Sequence, residues 1–92
     1  MIRLNVFIQV TEANRASVLE SAKELVASSL KDNGCIAYDI FESSTRKEVL
    51  MICETWLNEE SLSAHEQTSH FVTLVPQIQK LGSMKIEKFE WA

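Results

Sequence analysis

The order of apolar and polar side chains divides the chain into segments of two periods. From Arg3 to Val10 the alternation is strict: Leu4, Val6, Ile8 and Val10 share one face, and Arg3, Asn5, Phe7 and Gln9 the other. That is the signature of a half-buried strand. From about Asn14 to Asp32 the period lengthens to that of a helix, with Val18, Ala22, Leu25, Val26 and Leu30 recurring on one stripe. Thr11 or Asn14 caps its start, and Gly34 is placed to end it in a left-handed turn. Two further strands are expected at Cys35 to Glu42 and at Glu48 to Glu54 or Trp56, joined by the polar link Ser43-Ser44-Thr45-Arg46-Lys47.

Beyond Trp56, Asn58-Glu59-Glu60 reads as an N-cap followed by acidic residues at the positive end of a short helix that stops near Glu66. Thr68 caps a third helix, whose stripe is Phe71, Leu74, Val75, Ile78 and Leu81; Pro76 lies inside it and is expected to kink it or shift its start. Gly82 stops that helix, and Met84 to Phe89 or Trp91 forms the last strand. The order is β-α-β-β-α-α-β. Two strand–helix–strand units joined by a hairpin make the split βαβ, ferredoxin-like arrangement of the α+β class, here one domain over residues 1–92.

In that arrangement one face of an antiparallel sheet packs under helices and the other is normally polar. Pairing Glu42 with Glu48 across the link puts Ile36, Tyr38, Ile40, Leu50, Ile52, Glu54 and Trp56 on one side. The other side receives Cys35, Ala37, Asp39, Phe41, Val49, Met51 and Cys53. Neither set is polar. A contiguous apolar face calls for a partner, and a two-fold homodimer through the sheet face is the economical one.

Composition narrows the function classes. At 46% hydrophobic and 24% charged the chain has the make-up of a folded globular domain, and its net charge of −4 is mild. The nine basic residues are scattered without interleaved aromatics, so no nucleic-acid surface is expected. No apolar run nears the ~20 residues of a membrane span, and Met1-Ile2-Arg3-Leu4-Asn5 does not read as a signal peptide. Cys35 and Cys53 sit in apolar strand segments, where a free thiol behaves as a small hydrophobe. A reduced, cytoplasmic protein is the expectation.

Candidate chemistry concentrates between Glu54 and Phe71, which hold both histidines. A metal-binding helix presents His at i and i+4. His65 and His70 are five apart, and one continuous helix would splay them by about 140°, with no acidic or Cys ligand set beside them in sequence; no metal is expected. His65, near Leu62 and Phe71, is suited to take a proton as a neutral imidazole. His70 is expected to be the more exposed of the two. Glu54, facing with Ile52 and Trp56, must be paired or carry a raised pKa; it either orients a base or bridges to Lys or Arg across the dimer, the latter being preferred. Asn5 interrupts the first strand and is a candidate to point into the same interior. Trp56 and Tyr38 are either core or the walls of a site for a flat ligand.

The order Asn5 … Gly34-Cys35-Ile36-Ala37-Tyr38 … Glu54-Thr55-Trp56 … Leu62-x-x-His65 … Ser69-His70-Phe71 resembles the antibiotic biosynthesis monooxygenase family, the group including quinol monooxygenases. The likeness spans nearly the whole chain. It implies a dimeric α+β barrel with a pocket between sheet and helices in each subunit. It also implies oxidation of a small phenolic or quinol-type substrate by dioxygen without metal, flavin or haem. In that scheme His65 is the base, Asn5 orients the substrate hydroxyl or a peroxide, and Trp56, Tyr38, Glu54, Phe71 and His70 line the site. Related haem-degrading monooxygenases use an Asn, a Trp and a His. Asn5 matches the first, but His65 and Val75 stand at the other two positions, so haem is not expected. The same scaffold also hosts small-molecule isomerases and non-catalytic ligand-binding proteins, which remain the alternatives.

Overall fold

Strand β1 (Ile2–Val10) occupies the interior of a four-stranded antiparallel sheet ordered β2-β3-β1-β4, in a computed structural model that describes residues 1–92. It is followed by α1 (Glu12–Ser29), the hairpin β2 (Cys35–Glu42) and β3 (Val49–Trp56), the short α2 (Glu59–His65), α3 (Ser69–Leu81) and β4 (Gly82–Glu90). This is the ferredoxin-like order that the periodicity implies. Helix caps fall where the side chains predict: Thr11, Asn58 and Thr68 each accept from the backbone N–H three residues on.

The alternation in β1 sets the core. Ile2, Leu4, Val6, Ile8 and Val10 are buried, facing Leu50, Ile52 and Trp56 of β3 and the stripe Val18, Ala22 and Leu25 of α1. Leu74 and Ile78 of α3 complete it. Pro76 sits within α3 without interrupting it. The proline ring leaves the carbonyl of Val72, four residues back, without its intrahelical donor, and Val72 lies on the exposed side where solvent serves.

Four expectations are corrected by the packing. The α1 stripe ends on Ser29, fully buried, whereas Leu30 is 52% exposed; Ser29, four residues past Leu25, is the true continuation of the stripe. Helix α1 stops at Ser29, so Gly34 does not end it but opens β2, in the left-handed region at φ 80°. Glu42 pairs with Leu50 rather than Glu48, because Ser43 Oγ accepts from the N–H groups of Thr45 and Arg46 and closes a wider loop. The slip is two residues, so the assignment of faces survives it. A bulge between Cys35 and Ala37 then re-aims the start of β2. Cys35 packs against the core, and Ile36 turns out to 50% exposure.

The reverse side of the sheet carries no helix. Phe7, Val49, Met51 and Cys53 are half-buried there, Phe41 is 49% exposed, and Arg3, Asn5, Asp39 and the buried Thr55 are among the polar residues of that face.

Candidate functional site

The turn from α1 to β2 is pressed directly onto α2. A Cβ on Gly34 would lie 2.0 Å from Ser61 Oγ, so only glycine permits this approach, and the Leu57 N–H donates to Gly34 O at 2.9 Å. That contact brings Asp32, two residues earlier, against the end of α2 and the start of α3. His65 is the last residue of α2 and His70 the second of α3, with the Thr68 hydroxyl donating to His65 O at 2.7 Å. The break between the helices folds the two histidines together, with rings 5.9 Å apart. The splay expected of a continuous helix does not arise.

Asp32 Oδ2 lies 2.7 Å from His65 Nδ1 and 2.8 Å from His70 Nε2, one carboxylate oxygen accepting from two imidazoles. His70 is thereby held at 19% side-chain exposure rather than left on the surface. The acidic partner that the local sequence lacks comes from 33 residues away.

His65 is 1% exposed and enclosed by rings: Trp56 at 4.4 Å between centroids and tilted 34°, Phe71 edge-on at 5.2 Å, and Tyr38 at 5.6 Å. Burial lowers its pKa below the ordinary 6.5, opposed by the hydrogen bond and charge of Asp32. The neutral ring with its proton on Nδ1, facing the carboxylate, is the form this environment favours. Nε2 then presents a lone pair, and it is buried without a hydrogen-bond partner. The second buried side-chain atom without one is Ser29 Oγ, beside Tyr38.

Glu54 is 5% exposed, and its Oε1 accepts from Trp56 Nε1 at 2.8 Å. Burial raises its pKa from 4.5 to about 7, against the opposing hydrogen bonds of Trp56 and Tyr38. Within the chain it pairs with Trp56 and with no Lys or Arg, and it is buried on the helix side of the sheet, not on the helix-free face. Tyr38 is its cross-strand neighbour, and burial first, then the charge of Glu54, raise the phenol pKa.

Sequence-predicted residues therefore divide. His65, Trp56, Tyr38, Phe71, His70 and Glu54 are brought together under the helices. Asn5 is not: it pairs with Cys53 on the reverse face, where its Oδ1 accepts from Cys53 Sγ at 3.6 Å and Arg3 Nε at 3.4 Å. The reason is pleat parity, since Asn5 is an odd position in a strand whose even positions are core. Asp32 and Ser29 are the members that sequence reading missed. Ser29 was legible as the next turn of the α1 stripe; Asp32 had only its place before Gly34 to mark it.

The larger clefts do not pass His65. One of about 840 Å³ lies by the hairpin loop, lined by Thr11, Arg15, Arg46 and Lys47 among others. Another of about 330 Å³ runs over the reverse face past Arg3, Phe41, Met51 and Cys53. Rings fill the space beside His65.

Comparison with known proteins gives concordant results. A family model described as antibiotic biosynthesis monooxygenase matches residues 1–77. The Bacillus subtilis (strain 168) protein called "Putative monooxygenase YcnE" is 30% identical over 87 residues, covering 95% of this chain and 92% of that one. A Bacteroides thetaiotaomicron crystal structure, described as a conserved protein of unknown function and "Possible Oxidoreductase", is 63% identical with a TM-score of 0.96, over 98% of this chain and 96% of that one. A conserved protein from Methanosarcina mazei Go1 is 26% identical with a TM-score of 0.93, over 99% of this chain and 92% of that one.

Proposed function

The chain belongs to the antibiotic biosynthesis monooxygenase family, and from that premise we propose that it is a cofactor-independent monooxygenase of a small quinol-type aromatic, with His65 as the base. The observation that carries the reading is the Asp32–His65 pair: Nδ1 tied to a carboxylate at 2.7 Å, Nε2 free and buried against Trp56. An imidazole so held takes a phenolic proton on Nε2, and Asp32 stabilises the imidazolium that forms. The resulting phenolate is electron-rich enough to reduce dioxygen itself. For a hydroquinone the balance is one hydroquinone plus dioxygen giving one hydroxyquinone plus water. One oxygen atom enters the ring, the other leaves as water, and the substrate supplies all four electrons.

The protein's part is deprotonation, positioning and exclusion of water. Trp56, Tyr38 and Phe71 offer flat apolar walls. Ser29 Oγ, buried beside the Tyr38 hydroxyl, is a hydrogen-bonding group for a second substrate hydroxyl. Because rings fill the space next to Nε2, entry requires α2 or Phe71 to swing outward. The helix-free sheet face, with Phe7, Phe41, Met51 and Cys53, serves a different purpose: it pairs with a second copy to make a homodimer.

Oxygen uptake with a panel of substituted hydroquinones tests the reading. His65→Ala should lower the uptake rate by about 100-fold or more, the usual range for a lost general base. Failure of every quinol to drive uptake by the wild type, or an undiminished rate in His65→Ala, would remove the assignment.

A further inference from the structure

The knot of Asp32, His65 and His70 has a second capability that goes beyond oxidation of a quinol. From its geometry we infer that the three residues form a binding site for a divalent transition-metal ion of the zinc and cobalt type.

Three potential ligand atoms, one from each residue, lie within 4.8 Å of one another. Two imidazole nitrogens and one carboxylate oxygen make a set that suits late first-row ions and not magnesium or calcium, which prefer oxygen alone. Ligands bound at about 2.0–2.1 Å and at tetrahedral or octahedral angles stand roughly 3.0–3.4 Å apart. The present separations of 2.7 and 2.8 Å are those of hydrogen bonds to Asp32 Oδ2, and all three atoms lie within 4.8 Å of one another, so the two imidazoles must turn toward each other around the carboxylate to close on an ion.

The three ligands sit on anchored backbone. Asp32 is fixed by its N–H donating to Ser29 O at 3.0 Å and its carbonyl accepting from Cys35 N at 3.1 Å. His65 is clamped between Trp56 and Phe71, and His70 lies in the first turn capped by Thr68. The two imidazole N–H groups hold the carboxylate between them, within reach of both rings.

Access and an open coordination position come from the same side. Asp32 and His70 are 14% and 19% exposed, while His65 at 1% forms the inner wall. Three protein ligands with one side open to water is the arrangement of a site that binds exogenous ligand, not of a closed structural site.

Coordination through Nδ1 has a consequence that rests on the oxidation reading. The Nδ1 proton must shift to Nε2, which then loses the lone pair proposed to accept the phenolic proton. Bound metal therefore opposes the quinol chemistry.

Chelator-treated full-length protein titrated with Zn²⁺ calorimetrically, and with Co²⁺ by visible absorption, decides the matter. One equivalent should bind with a Kd on the order of 10 μM or tighter. Asp32→Asn and His70→Ala, each checked for folding by circular dichroism, should both weaken binding at least about tenfold. No saturable binding of either ion overturns the site; so does binding that both substitutions leave unchanged, since the ion then sits elsewhere. Oxygen uptake by the metal-free protein is measured in parallel. A metal-free protein that oxidises no quinol defeats the oxidation reading while the titration still stands, and a failed titration leaves quinol oxidation untouched.

Discussion

The two faces of the sheet are built from alternate residues of the same strands, yet they have opposite characters. On the helix side, Leu4, Val6, Ile8, Leu50 and Ile52 are sealed, and the polar groups among them are buried and held: Glu54 by Trp56, His65 by Asp32. On the reverse side, Phe7, Phe41, Met51 and Cys53 are only partly covered, and Asn5 and Arg3 bond sideways within the sheet. Sealing makes a carboxyl and an imidazole depart from their ordinary pKa values, and no carboxyl or imidazole on the reverse face is comparably buried. The proposed chemistry uses the sealed face and the proposed dimer the open one.

The comparison is broken most severely at Trp56, which is fully buried and both donates to Glu54 and stacks on His65. Trp56→Ala should cost about 3–5 kcal/mol in urea unfolding, the cavity being compounded by a buried carboxyl stripped of its donor.

Glu54 gives the next largest effect, visible through pH. Its folded pKa of about 7 lies above the ordinary 4.5, so the folded state binds the proton more tightly than the unfolded chain. Its contribution is fully present below pH 4.5 and is lost as pH rises to 7, a loss of at most about 3 kcal/mol. His65, with its pKa lowered from 6.5, acts in the opposite sense: stability falls as pH drops below 6.5. Glu54→Gln removes only the first contribution. The difference in unfolding free energy between variant and wild type, followed from pH 4.5 to 7, should therefore change steadily across that window. A constant difference would mean that Glu54 titrates normally.

On the open face the expected effects concern assembly. Met51→Lys should leave the stability of the single chain within about 0.5 kcal/mol, while light scattering falls from the mass of two chains to that of one. An unmodified chain already at the mass of one would contradict the proposed dimer directly. The smallest effect is expected at Asn5. If the faces divide as described, Asn5→Ala should alter quinol-dependent oxygen uptake by less than about twofold, or under ~0.4 kcal/mol in the barrier; a large loss would return Asn5 to the site.

Much of this was legible before folding. The strict alternation from Arg3 to Val10 fixed which side chains of β1 are core, because a strand's side-chain period is two and only one set is apolar. Capping chemistry at Thr11, Asn58 and Thr68 located the starts of three helices, since each supplies an oxygen to an otherwise orphaned N–H. Even the hairpin faces survived a misplaced register, because the error was an even number of residues. Local pattern failed where a single residue of offset mattered: the bulge that exchanges Cys35 with Ile36, and the α1 stripe that passes through Ser29 and not Leu30.

The sequence by itself determined the element order and the two-faced sheet, both of which follow from short-range periodicity. Tertiary structure alone decided that Asp32 meets both histidines and that the break before Ser69 folds those histidines together. The physical reason is separation along the chain. Asp32 reaches His65 only because Gly34, lacking a Cβ, lets the α1–β2 turn sit against Ser61, and no period in the local sequence encodes a contact made 33 residues away.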